Sequence, residues 1–329
     1  MKTKIDFIIT WVDGNDLEWQ KEKNKYLNNP HVDSKNIRYR DWENLKYLFR
    51  GIEKYAPWVN QIFFVTCGQT PEWLNTDNPK LKLINHKDYM PKEYLPTFSS
   101  HPIELNFHRI KELNEQFVYF NDDTFLTNYV TPEDFFKAGK PCEIANINPI
   151  SPNEKDVVNY VFFNNTSIIN KNFNKNDCIK KNIFKWINLK YGTNILRTLM
   201  SMPWNNFLGY KASHLPTSLL KSTYIDVWDK EYEKLNNTSM NKFRSKEDVS
   251  QYLLIQWQLA TGNFAPRNKN FGKFYNIALN SDLYKDIEKN KYKVICINDN
   301  DLVEDFDLLK AKINSSFDKI LPDKSTFEK

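Results

Sequence analysis

Apolar residues along this chain gather in short runs that stop abruptly at acids and amides. The first, Ile5-Asp6-Phe7-Ile8-Ile9-Thr10-Trp11-Val12, ends at Asp13-Gly14, and its β-branched and aromatic content predicts a core strand. Gln61 to Thr66 reads as a second strand and Lys82 to Asn85 as a short third. Gln116-Phe117-Val118-Tyr119-Phe120 runs into Asn121-Asp122-Asp123, followed by Thr124-Phe125-Leu126, and Lys293 to Ile297 runs into Asn298-Asp299-Asn300-Asp301. Between these runs, Leu45, Leu48, Phe49 and Ile52 recur at helical spacing within 42–55, before Pro57. Helices are also expected over 103–114, 247–259 and 305–320, with Pro322 onward as a tail. In the first of these, Glu104 and His108 share a face at i,i+4 spacing and Arg109 lies close by.

Strand, helix, strand, strand with polar edges predicts an α/β fold with a Rossmann-like, mostly parallel sheet flanked by helices. Residues 1–150 form the first part of this core, 151–245 a largely helical insertion, and 246–329 the return to the core with the last strand and closing helix. Open α/β sheets hold ligands beyond the carboxyl ends of their strands. Strands ending at Asp13, Asp122/Asp123 and Asn298/Asp299 would converge on one crevice if they are parallel neighbours.

Adjacent carboxylates at such an edge point to a divalent cation and a phosphate, because Mg²⁺ binds through one or two carboxylates plus phosphate oxygens. A solvated turn also favours Asn and Asp, so the pair alone leaves both readings open. Asp13 suits a ribose or a metal, and Gly14 would let the backbone approach a ligand. An ordinary Asp-Gly turn fits those two residues as well.

With 329 residues, 40% hydrophobic and 15% aromatic, the chain can bury the core of a globular enzyme. Basic residues outnumber acids 46 to 41, a net charge of +5. That balance is too mild to imply nucleic acid, while peripheral contact with an anionic membrane remains compatible. The lysine clusters at 21–25 and 171–185 read as solvated faces. The N-terminus lacks the pattern of a signal peptide, and no stretch approaches the roughly 18 apolar residues of a membrane span. The expected location is cytoplasmic, with any membrane contact peripheral. Cys67, Cys142, Cys178 and Cys296 have no C-x-x-C spacing and read as reduced, buried thiols. Trp11, Trp42 and Trp58 read as core, and His31, His86 and His101 receive no role.

Four segments resemble the blocks of the Stealth family. The first is Ile5 to Gly14. The second comprises Arg38-Tyr39-Arg40-Asp41, Tyr55-Ala56-Pro57-Trp58-Val59, Leu95-Pro96-Thr97-Phe98, Glu104, His108-Arg109-Ile110 and Phe120-Asn121-Asp122-Asp123. The third is His214-Leu215-Pro216 with Phe243-Arg244-Ser245-Lys246-Glu247-Asp248, and the fourth is Cys296 to Asn300, closed by Phe327-Glu328. Thr217 departs from the pattern, since relatives often carry an aromatic residue, Pro or His after Pro216. The departure bears on the acceptor more than on the chemistry.

The resemblance implies transfer of a hexose- or N-acetylhexosamine-1-phosphate from a UDP-sugar to a hydroxyl of a glycan acceptor, lipid-linked or free, with release of UMP. Residues 1–150 would then begin a nucleotide-sugar-binding core. Asp123 and Asn298, with Asp299 as a substitute, are expected to hold Mg²⁺ or Mn²⁺. Arg38, Arg109 and Arg244 are candidate phosphate clamps. His214 is the expected general base and Asp122 the alternative, while Glu104 would orient sugar hydroxyls or Arg109. Two other functions compete: a metal-dependent glycosyltransferase releasing UDP, and a non-catalytic glycan- or nucleotide-binding module.

Overall fold

The computed structural model describes residues 4–27, 39–151, 157–300 and 303–329. Four parallel strands carry the fold: β1 (Ile5–Thr10), β2 (Ile62–Thr66), β3 (Leu81–Asn85) and β4 (Gln116–Phe120). After β4 the chain turns through Asn121-Asp122-Asp123 into β5 (Thr124–Leu126), and β6 (Phe136–Lys137) and β7 (Lys140–Glu143) form a hairpin. The later strands are β8 (Thr217–Leu220), β9 (Ala265–Pro266), β10 (Gly272–Asn276) and β11 (Val294–Asn298). The main sheet has the order β3-β2-β1-β4-β8, and β8 runs antiparallel to β4.

Alternate residues of these strands enter two separate cores. Phe7, Ile9, Phe64, Val118 and Phe120 face helix Leu45–Tyr55 and helix Phe306–Ile320. Ile8, Phe63, Val65, Phe117 and Tyr119 face the layer holding helices Val157–Asn172, Lys221–Lys230 and Tyr252–Ala260. Burial on both faces explains why the strands read as unbroken apolar runs instead of alternating ones. Asp6 is fully buried within β1, and its charge is satisfied by Asn60 Nδ2 at 2.7 Å and by the backbone and side-chain nitrogens of Asn114 at 2.8 Å.

Four expectations are corrected. β11 is not a neighbour of β1 and β4 but lies in a second sheet, parallel to β10 and antiparallel to β5. The turn after β4 crosses between the two sheets, and Ile297 N donates to Asp123 O at 2.9 Å, so Asn298 still reaches the same crevice. The segment 157–245 is largely helical but also supplies β8 to the main sheet; four residues are too few to show a strand's periodicity. The helix expected over 103–114 is Ser100–Leu105, with a separate 3-10 turn at Phe107–Arg109. Asn106 ends it, its amide donating to Pro102 O and Ser239 Oγ. Lastly, Pro322 onward is docked rather than a tail. Phe327 is buried, and Arg50 grips Glu328 with two 2.8 Å hydrogen bonds.

Candidate active site

The carboxyl ends of β1 and β4, the end of β11, and the loops around His214 and Arg244 enclose one cavity of about 620 Å³. Asp122, Asp123, Glu104, His214, Arg244, Asn298 and Asp299 all line it. The first strand reaches it through Thr10, Trp11 and Val12, so Trp11 is a wall residue packed against the core.

Asp123 is the junction of the site. Its Oδ2 lies 3.4 Å from His214 Nε2 and accepts from the Cys296 thiol at 3.3 Å. Its Oδ1 is buried without a hydrogen-bond partner. A buried carboxylate oxygen left unpaired is costly unless something else satisfies it. Asp123, His214 and Cys296 bring one ligand atom each within 4.8 Å of one another, a set of oxygen, nitrogen and sulfur donors able to hold a metal ion. An oxygen-seeking cation would find candidate donors in the orphaned Asp123 Oδ1 and in Asn298, whose Nδ2 is committed to Asp299 O at 2.9 Å and whose remaining side-chain polar atom is a carbonyl oxygen.

Asp122 and His214 are shifted in the same direction for different reasons. The Asp122 side chain is exposed, but to the crevice, where surrounding protein displaces bulk water. This burial within the molecule, with the adjacent Asp123 charge, raises Asp122 to about 7. At His214, burial lowers the pKa, but the Asp123 carboxylate overrides it and holds the imidazole above its ordinary value. His214 also adopts a φ of 44°, a left-handed conformation unusual for a residue with a Cβ. Strain of this sort persists where surrounding contacts fix a side chain in place.

A polar chain leads from His214 into the core. Asn121 Nδ2 lies 3.3 Å from His214 Nε2, the Tyr119 hydroxyl meets Asn121 Oδ1, and Tyr119 also donates to Glu104 Oε1 at 3.1 Å. Glu104 is therefore a buried wall residue held by Tyr119. Arg244 Nη2 donates to Ser100 Oγ at 3.2 Å, on the same helix that carries Glu104. The Arg244 loop is tied down by Asp248, whose Oδ2 accepts from Ser245 N at 2.9 Å and lies 3.0 Å from His101 Nδ1.

The remaining assignments have other surroundings than expected. Arg38 lies outside the described residues. Arg109 is away from the cavity lining, its Nε donating to Asn106 Oδ1 at 2.8 Å and its guanidinium lying 4.9 Å from the Trp228 ring centre. Asp13 caps its own turn by accepting from Asn15 N at 2.8 Å, and it is not a lining residue. At Gly14 a Cβ would come within 2.1 Å of Tyr39 O, so the close backbone approach there is to Tyr39. Asp299 Oδ2 is shared by Arg40 Nε at 3.0 Å and Trp42 Nε1 at 3.1 Å, while its Oδ1 accepts from Asn300 N.

Sequence reasoning passed over Arg40 and Asp41, which line the cavity although both stand in the quoted Arg38-Tyr39-Arg40-Asp41 motif. It also gave no role to His86 and His101, which line the cavity as well. No local signal marks either histidine, because their partners and surroundings come from distant segments.

Family comparison agrees with this geometry. Residues 3–30 match the Stealth protein CR1, conserved region 1, and residues 38–144 match the Stealth protein CR2, conserved region 2. The chain is 42% identical to the capsular polysaccharide phosphotransferase WcwK of Streptococcus pneumoniae, over 99% of this chain and 98% of that protein. It is 40% identical to the exopolysaccharide phosphotransferase cps2G of Lactiplantibacillus plantarum, over 99% and 96%. With the receptor polysaccharide phosphotransferase WefC of Streptococcus gordonii it shares 39% identity over 100% of both chains. Among solved structures, the galactosyltransferase LgtC aligns over 94% of this chain and 95% of its own, with 9% identity and a TM-score of 0.40.

A doubly covered parallel sheet whose strand ends pool carboxylates, an imidazole and a guanidinium in one crevice defines, with these relatives, an α/β enzyme of the transferase class. The chain belongs to the Stealth family.

Proposed function

We propose that this protein transfers a hexose- or N-acetylhexosamine-1-phosphate from a UDP-sugar to a hydroxyl of a glycan acceptor, free or lipid-linked, in capsule or cell-surface polysaccharide synthesis. The acceptor oxygen forms a bond to the phosphorus that carries the sugar, and the bond from that phosphorus to the bridging diphosphate oxygen breaks. The acceptor proton passes to a base, the products being a phosphodiester and UMP. The observation that carries this reading is the convergence of Asp122, Asp123, His214, Arg244 and Asn298 on one cavity in a chain of this family.

Each residue has a role that its surroundings support. Asp123 and Asn298 would hold Mg²⁺ or Mn²⁺, which when bound neutralises charge on the diphosphate. Arg244, held by Ser100, binds phosphate oxygens, and Arg40 adds a second guanidinium beside Asp299. His214, oriented by Asn121 and Asp123, accepts the acceptor proton. Asp122, raised to about 7, is the second candidate for that step because its ionisation is matched to neutral pH. Glu104 and Tyr119 fix Asn121 and thereby the imidazole.

The deciding experiment incubates the protein with a panel of UDP-sugars, a glycan acceptor and Mg²⁺, and identifies the nucleotide formed. UMP together with a phosphodiester product is expected. UDP would show attack at the anomeric carbon and a glycosyltransferase, and the absence of any turnover would favour a binding module.

A further inference from the structure

The stretch from Ile183 to Trp204 carries an unusual concentration of exposed apolar side chains. Phe184 is 85% exposed, Leu189 92%, Leu196 60%, Met200 75% and Trp204 54%. They come from three consecutive short helices, Ile183–Trp186, Leu189–Tyr191 and Asn194–Met200, and from the turn that follows. Single exposed apolar residues are ordinary on a globular surface, whereas a group of this size marks an interaction site.

The backbone beneath these side chains is anchored. Trp186 and Tyr191 are fully buried, the Tyr191 hydroxyl donates to Lys185 O at 2.7 Å, and Lys175 Nζ donates to Ser201 O at 2.9 Å. The apolar side chains are therefore displayed on a packed support.

Charge identifies what the face meets. Lys180, Lys181, Lys190, Arg197 and Lys211 are exposed in and beside this stretch, Lys171 being paired with Glu231, and Asp177 is the one acid in the sequence from Lys171 to Lys211. The whole chain has a net charge of only +5, so this excess is local. Two copies of such a face would bring cations against cations, whereas an anionic bilayer offers apolar depth and a continuous negative surface. Trp204 suits the headgroup boundary, where an indole ring is partly apolar and partly wet.

We infer that the Ile183–Trp204 face docks this protein on an anionic lipid bilayer, with Phe184, Leu189, Met200 and Trp204 entering the headgroup boundary and the surrounding cations meeting lipid phosphates. No helix among the described residues is long and apolar enough to cross a membrane, and the contact inferred is interfacial. It stands independently of the reaction proposed above.

Cosedimentation of the full chain with phosphatidylglycerol–phosphatidylcholine vesicles, against pure phosphatidylcholine vesicles, tests this. Binding to the anionic vesicles is expected to be about 10-fold or more stronger and to weaken as salt screens the lysines. The triple variants Phe184→Ser/Leu189→Ser/Met200→Ser and Lys180→Glu/Lys181→Glu/Lys190→Glu should each lose about 10-fold in vesicle affinity. Because the altered side chains are exposed, both should keep the parent's thermal midpoint. A parent protein that stays in the supernatant, or variants that bind like the parent, would overturn the inference. So would a dimer in analytical ultracentrifugation that the serine variant dissolves, since the face would then join two copies of this chain.

Discussion

His214 Nε2 lies 3.4 Å from Asp123 Oδ2, joining the segment before β8 to the turn between the two sheets. The contact raises the imidazole's affinity for its proton and fixes the ring against a carboxylate whose other oxygen is buried and unpaired. The proposed base and the proposed cation ligand are therefore neighbours by construction, and the two roles separate only when each residue is altered alone.

Asp123→Asn should lower turnover by about 10² to 10³-fold, the loss seen when one preorganised charge-stabilising group is removed. The exchange preserves side-chain shape, so the thermal midpoint should stay close to the parent's. Product-nucleotide release in a chelator-treated assay with added Mg²⁺ measures the effect. Full turnover by the variant would remove Asp123 from the site.

His214→Asn is expected to bind the UDP-sugar like the parent yet lose about 10² to 10⁴-fold in turnover, the contribution of a positioned general base. Asn is chosen because it tolerates the left-handed backbone at this position better than Ala does. Calorimetry with the donor separates the two effects. Loss of donor binding would make His214 a donor ligand and move the base to Asp122.

Arg244→Lys should resemble Arg244→Ala more than the parent, because a point charge cannot replace a planar fork on phosphate. The expected cost is about 2 to 4 kcal/mol in transition-state stabilisation, read as kcat/KM. Near-parental kinetics for the lysine variant would argue against a forked contact.

Arg109 offers a contrast, because its partners are Asn106 and the Trp228 ring rather than the cavity. Arg109→Ala should cost about 1 kcal/mol of stability, within the range for an exposed to half-buried cation–π contact, with donor affinity unchanged. Denaturant unfolding beside donor titration checks both. A large loss of donor affinity with intact stability would return Arg109 to the phosphate site.

Burial lowers the His86 imidazole to about 4, so the folded protein keeps it neutral while the unfolded chain takes up a proton near the ordinary 6.5. This part of the stability is complete above pH 6.5 and is lost as the pH falls toward 4. His86→Leu should flatten the stability profile in that window by up to about 1.4 kcal/mol per pH unit. Urea unfolding at several pH values gives the slope. An identical slope in parent and variant would show that His86 is not the group titrating.

The strands were legible in the sequence because burial writes a local signal, an apolar run that at β1, β4 and β11 is closed by Asp or Asn. β1, β2, β3, β4 and β11 all fall where those runs predict them. The resemblance to the family rests on equally local blocks, which is why Asp122, Asp123, His214, Arg244 and Asn298 could be named together and are found on one cavity.

Partners distant along the chain were not legible. Nothing near Asp299 announces that Arg40 and Trp42 occupy its carboxylate, nothing near Gly14 announces Tyr39, and nothing near His101 announces Asp248. The short strand β8 and the docked Phe327-Glu328 end depend likewise on surfaces that exist only once the core has formed. The sequence by itself determined which segments are buried and which residue types stand at their edges, because burial and periodicity are properties of contiguous residues. Only the tertiary structure decided which edge groups meet, because hydrogen bonds and charge pairs act over about 3 to 4 Å between segments that folding brings together.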